Sequence, residues 1–122
     1  VYLVESDRRK SAFLVDSAAR LGLRHVRVHP TRIESAAPLL PRTLSAVTAR
    51  ALAPLDTLLA HAHALLPADG TGIALFPKGR TAEQELTAAL PHWHMTVERF
   101  RSKTDPDSTI FRLSEIRPRA TD

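Results

Sequence analysis

Val1-Tyr2-Leu3-Val4-Glu5-Ser6 opens the chain with four apolar residues, then an acid, then a residue type that caps helices. A run that is apolar on both faces reads as a buried parallel strand. Ser6 is the expected N-cap of a helix reaching about Leu21, with Leu14, Ala18 and Leu21 on one face and Gly22 as its terminator. Strand followed at once by helix is the start of an α/β alternation, and the rest of the chain continues it.

His25 to His29 alternates, with Val26 and Val28 facing one way, and reads as a short half-exposed strand. Pro30, Pro38 and Pro41 make 31–41 irregular, with room for one helical turn. Leu44 to Thr48 reads as a third strand. Pro54 then sits where a first helical turn accepts it, and Leu55, Leu58, Leu59, Ala62, Leu65 and Leu66 follow at helical spacing. Pro67-Ala68-Asp69-Gly70 is a turn, and Gly72 to Phe76 a buried strand. Thr81 with Gln84 suggests a capping box opening a helix to about Leu90. His92–Arg101 and Thr109–Ile116 read as two longer strands joined by a turn at Thr104–Ser108. The alternation predicts a mostly parallel sheet with helices on both faces, closed by an antiparallel hairpin at one edge. One domain is expected over 1–117, with a loose tail at 118–122.

The chain has 122 residues, room for one domain. It contains no cysteine, which excludes disulfides, thiolate metal sites and thiol nucleophiles. No apolar run approaches the ~20 residues of a membrane helix, and no signal-peptide pattern opens the chain. Cytoplasmic location is the expectation. Met95 is the only methionine, so the chain is expected to be a processed product or a fragment of a longer reading frame. The net charge is +4, and 14 of the 17 basic residues are Arg. Arg pairs bidentately with phosphate, which leans towards nucleic acid. A GC-rich genome gives the same bias, and the charge is scattered.

In doubly wound sheets, ligands bind at the carboxyl ends of strands. Glu5 ends a strand there, where a carboxylate either accepts from both ribose hydroxyls of a nucleoside or helps cap the next helix. Ile33 offers an apolar face to a base and Glu34 an acceptor for an exocyclic amine; the plain alternative is a surface loop. Arg50 lies just past the third strand and would meet a carboxylate or phosphate, or form a surface salt bridge. Arg8, Arg9 and Lys10 crowd the end of a helix that disfavours cations, and either a phosphate backbone or solvent would account for them. Lys78 follows the fourth predicted strand. The six histidines suggest no metal site: His25 and His29 lie ~13 Å apart by strand rise, and His61 and His63 lie on different helix faces. His92 and His94 lack an obvious third ligand. Gly70-Thr71-Gly72 precedes a strand, so it is not a phosphate loop, and no nucleophile elbow is present.

Leu3-Val4-Glu5-Ser6 with Arg9-Lys10 and Phe13-Leu14, then Arg32-Ile33-Glu34, then Val47-Thr48-Ala49-Arg50-Ala51, then Phe76-Pro77-Lys78-Gly79 follow in order. Together they resemble the bacterial 16S rRNA 7-methylguanosine methyltransferases, the glucose-inhibited division protein B family. The Thr-Ala-Arg-Ala block is the most specific piece. The resemblance implies a Rossmann-like class I S-adenosylmethionine-dependent methyltransferase fold. It implies S-adenosylmethionine as cofactor, with Glu5 on the ribose, Ile33 and Glu34 at the adenine, and Arg50 at the cofactor and target-base side. It implies a guanine of small-subunit ribosomal RNA as substrate, with Arg9, Lys10 and Lys78 as RNA contacts. A monomer without metal or membrane is expected. Family members carry an earlier strand and a glycine-rich loop that this sequence lacks. That strand would lie between those of Val1–Glu5 and Leu44–Thr48, so two unpaired edges and an inactive fragment are expected. Methylation at the seventh ring nitrogen of guanine uses a free lone pair, so no general base is expected to stand out. Competing readings are another class I methyltransferase, or a non-catalytic basic module that binds RNA or protein.

Overall fold

The computed structural model describes residues 1–50 and 52–120; Ala51, the last residue of the Thr-Ala-Arg-Ala block, and Thr121 and Asp122 of the predicted tail lie outside them. The chain divides into two compact units, Val1–Pro41 and Arg42–Asp122.

The first unit holds strands β1 (Tyr2–Val4) and β2 (Arg27–His29), with helix α1 (Arg8–Arg20) between them. The strands pair in parallel, with Leu3 opposite Val28 and Val4 opposite His29. The N-cap of α1 is Asp7 and not Ser6: its carboxylate accepts the Lys10 N–H at 3.0 Å. An ionised acceptor at the positive end of a helix outcompetes a hydroxyl one residue earlier. Gly22 ends the helix as expected, at φ +67°. Its N–H donates to Ala19 O and that of Leu23 to Ala18 O, the Schellman closure that a left-handed residue permits. After β2, the proline-rich stretch forms one short helix, α2 (Ile33–Ala36), continued by a 3₁₀ turn at Ala37–Leu39.

The second unit is a four-stranded sheet in the order β3-β4-β6-β5. These are β3 (Ala46–Thr48), β4 (Ile73–Lys78), β5 (Trp93–Arg101) and β6 (Thr109–Pro118). β3 and β4 are parallel; β6 runs antiparallel to both β4 and β5. The expected C-terminal hairpin is present, with its second strand laid against β4. Among the described residues, β1 pairs only with β2 and β3 only with β4, so the two sheets do not share a ladder.

Helices α3 (Leu55–Leu65) and α4 (Ala82–Ala89) contribute Leu55, Leu58, Leu59, Ala62, Leu86 and Ala89 to one buried cluster with Ala74, Phe76, Phe111 and Leu113. Both helices of this unit therefore cover one face of its sheet. Crossovers that step the same way across a sheet with the same hand place their helices on one side. Gly72 sits at φ +95°, and a Cβ there would meet Leu66 Cδ2 at 2.9 Å and Ser45 O at 3.3 Å. The turn into β4 is thus closed to any side chain.

Three local expectations change. The Thr81–Gln84 capping box does not form; Thr81 Oγ1 instead donates to Glu85 Oε2 at 2.8 Å. β4 extends through Pro77 to Lys78, so Lys78 ends the strand instead of following it. β6 extends to Pro118, and the Arg119 N–H donates to His92 O at 2.8 Å. An arginine that also reaches Leu90 O through Nε at 2.7 Å is held where a tail was expected.

Candidate functional site

In the first unit, β1 and β2 lie side by side and run the same way, so whatever follows them emerges at one edge. Glu5 follows β1, and its N–H continues the ladder to His29 O at 3.1 Å. It is half-buried, and its Oε2 accepts the Asp7 N–H at 3.0 Å. The carboxylate thus steadies the approach to α1, and the residue stands at the carboxyl end of the sheet. Arg32, Ile33 and Glu34 follow β2 at the same end. Ile33 is half-buried at the first position of α2, and Glu34 is exposed one residue on. An anionic acceptor after one strand and an apolar side chain after its neighbour are therefore brought to one edge. Arg8, Arg9 and Lys10 are exposed in the first turn of α1, which carries no acid of its own. Asp7 at the N-cap offsets part of their repulsion with the helix terminus.

In the second unit, Arg50 is exposed two residues beyond β3. Lys78 ends the neighbouring β4, parallel to β3, so both lie at the carboxyl end of that sheet. Their surroundings differ sharply. The Lys78 side chain is only 9% exposed. Its ammonium donates to Ala53 O at 2.6 Å and pairs with Glu85 Oε1 at 3.0 Å. The same Oε1 accepts the Leu55 N–H at 2.8 Å, while Oε2 accepts from Thr81. Lys78, expected to face RNA, is thus turned inward onto the segment that follows Arg50.

The reason lies in Pro54. It is the N-cap of α3 and has no side-chain acceptor, so the first amide of the helix lacks a local partner. Glu85, thirty residues later, supplies one. Burial works against its charge, but the hydrogen bonds from Lys78, Thr81 and Leu55 overcome that and hold the carboxyl below its ordinary value of 4.5. Sequence reading missed Glu85. The one available signal was a helix starting on a proline with no capping side chain, which demands an acceptor from elsewhere without saying where.

Among the described residues, no group of three His, Asp or Glu could hold a metal ion, and no helix is long and apolar enough to cross a membrane.

Comparisons with known proteins bear on the fold and the family. A solved rRNA methylase from Streptococcus thermophilus superposes with a TM-score of 0.66, at 10% identity, over 93% of this chain and 72% of that one. The SMU.1697c protein of Streptococcus mutans, solved in complex with SAH, superposes with a TM-score of 0.59, at 11% identity, over 93% of this chain and 74% of that one. The fold is that of the class I S-adenosylmethionine-dependent methyltransferases, α/β with parallel strands and an antiparallel C-terminal pair. The ribosomal RNA small subunit methyltransferase G of Granulibacter bethesdensis is 50% identical over 119 residues, covering 94% of this chain and 51% of the relative. The chain spans about half the length of the curated relatives it matches. The family model for GidB, rRNA small subunit methyltransferase G, matches residues 1–109. The chain belongs to the rRNA small subunit methyltransferase G family.

Proposed function

We propose that the full-length protein carrying this chain transfers a methyl group from S-adenosylmethionine to the seventh ring nitrogen of a guanine in 16S ribosomal RNA. In this reading the two units are parts of one methyltransferase domain, acting as a monomer in the cytoplasm. The observation that carries it is the pairing of Glu5 and Ile33–Glu34 at the carboxyl ends of two adjacent parallel strands. Those groups fit a nucleoside: a carboxylate accepts from a ribose diol, and an apolar side chain followed by an acid suits an adenine and its amine. Glu5, Ile33 and Glu34 would hold the cofactor's adenosine, and Arg50 would stand at the cofactor and target-base side. S-adenosylmethionine supplies the electrophilic methyl group.

The chain's own work is then binding and alignment. The guanine nitrogen brings its own lone pair, so no side chain has to remove a proton first. Orientation of the two reactants carries the rate, aided by surroundings that tolerate positive charge on the methylated base. Arg9 and Lys10, exposed on α1, are proposed to meet RNA phosphates.

Calorimetric titration of S-adenosylhomocysteine into the full-length protein tests the cofactor assignment. Glu5→Ala should weaken binding roughly tenfold or more, the worth of a charge-assisted hydrogen bond. Nucleoside analysis of 16S RNA after reaction should show 7-methylguanosine. Binding that ignores Glu5→Ala, or a methylated nucleoside of another kind, overturns the reading.

A further inference from the structure

The family resemblance gives Lys78 to the RNA, but its ammonium points elsewhere. Two anchors lie on either side of Arg50 in the sequence. Before it, β3 is paired with β4 as far as Thr48 opposite Leu75. After it, Lys78 holds Ala53 O and Glu85 holds the Leu55 N–H, on either side of Pro54. Pro54, the one residue between Ala53 and Leu55, has no backbone donor and fixes its own φ, so the second anchor depends on the Lys78–Glu85 pair.

We propose that Lys78 and Glu85 are positioning residues for the methyl-transfer site: by fixing the carbonyl of Ala53 and the amide of Leu55, they hold the entry to α3 at the carboxyl end of the sheet where Arg50 lies. Lys78 acts through Glu85 and the backbone, not through contact with RNA. The mostly buried ammonium, with two internal partners at 2.6 and 3.0 Å, is what separates this role from a phosphate contact. Thr81 completes the arrangement by orienting the second carboxylate oxygen. The inference rests on the methyltransferase reading above and deepens it.

The test uses the full-length enzyme with small-subunit RNA and S-adenosylmethionine. Lys78→Met and Glu85→Ala should each lower kcat roughly ten- to hundredfold, the scale of a misplacement of about 1 Å, with KM for RNA within about twofold. Glu85→Gln keeps an acceptor for Leu55 and should recover most of the kcat lost in Glu85→Ala. Combined with Arg50→Ala, either loss should be far from additive, since the pair acts through the same segment. A raised KM for RNA in Lys78→Met, with a salt-dependence slope shallower by about 1, would make Lys78 a phosphate contact and overturn the proposal. Additive losses with Arg50→Ala would overturn it too. Hydrogen exchange at the Leu55 amide reads the same anchor without catalysis. It should accelerate in Glu85→Ala while the amides of β4 keep their rates, and an unchanged Leu55 rate overturns the proposal. If the wild-type enzyme methylates no RNA while Leu55 responds as expected, the functional reading fails and the anchor stands.

Discussion

The two units of this chain are built to different degrees of completeness. Among the described residues, fourteen of the sixteen buried hydrophobics lie in the second unit; the first contributes only Ala36 and Leu40. Exposure runs the other way. Seven of the ten exposed large hydrophobics, Val1, Tyr2, Phe13, Val15, Leu21, Leu23 and Leu39, belong to the first 41 residues. The second unit closes its core with four strands and two helices. The first has two three-residue strands and one long helix, and leaves apolar side chains in water. Folding stability comes mainly from apolar burial, so the second unit holds most of it. The half with the proposed nucleoside site is the half that has less to hold it.

The largest effect should come from the second core. Phe111→Ala removes a fully buried ring and should cost about 3–5 kcal/mol, whereas Phe13→Ala, 69% exposed, should move stability by less than about 0.5 kcal/mol. Urea denaturation of the two variants reads the contrast directly, and equal losses would erase it. Next comes Glu85→Ala, expected to cost about 1–3 kcal/mol by stranding the Leu55 amide and the Lys78 ammonium. This loss should depend on pH. The folded carboxyl is held below its ordinary 4.5, so its contribution is complete above that value and is lost as pH falls through the lowered one. Wild type and variant should therefore converge in acid; a constant gap would assign the effect to packing. Asp7→Ala removes the cap of α1 and should cost about 1 kcal/mol. The loss should be read as helicity of the first unit while the near-ultraviolet signal of Trp93 stays unchanged. Smallest is a gain. Glu115 sits at φ +53° beside the irregular register at His94/Thr96. Glu115→Gly should raise stability by up to about 1 kcal/mol by relieving that backbone cost, visible as a small rise in Tm.

The order of elements was legible because the cues were local. The apolar run at 1–4, the leucine spacing of 55–66 and Gly22 each decide their own neighbourhood, and each element stands where those cues put it. The family was legible because its short motifs are contiguous. The support of the candidate site was not. Pro54 announces an uncapped helix, but the capping carboxylate lies thirty residues away on another helix. Thr81 had two acids and a glutamine within reach, and the choice of Glu85 over a box with Gln84 follows from Lys78 fixing that carboxylate. Lys78 reads identically whether it points out to a phosphate or in to a carbonyl, since its type and its place at the end of β4 are the same in both cases. Tertiary pairing decides such residues, and spacing does not contain it.

The placement of β6 between β4 and β5 has a consequence in time. A ribosome releases the chain from its N-terminal side onward, and β5 emerges before β6, the strand it pairs with. At ~5–20 residues per second, the stretch from the end of β4 to the end of β6 takes roughly 2–8 s to appear. Through that interval β4 has one open side, β5 has two, and Leu55 already waits for an acceptor that arrives only with α4. The sheet is therefore sealed by its last strand, and a nascent chain stalled before residue 109 leaves the ribosome with every ladder of β5 still unmade.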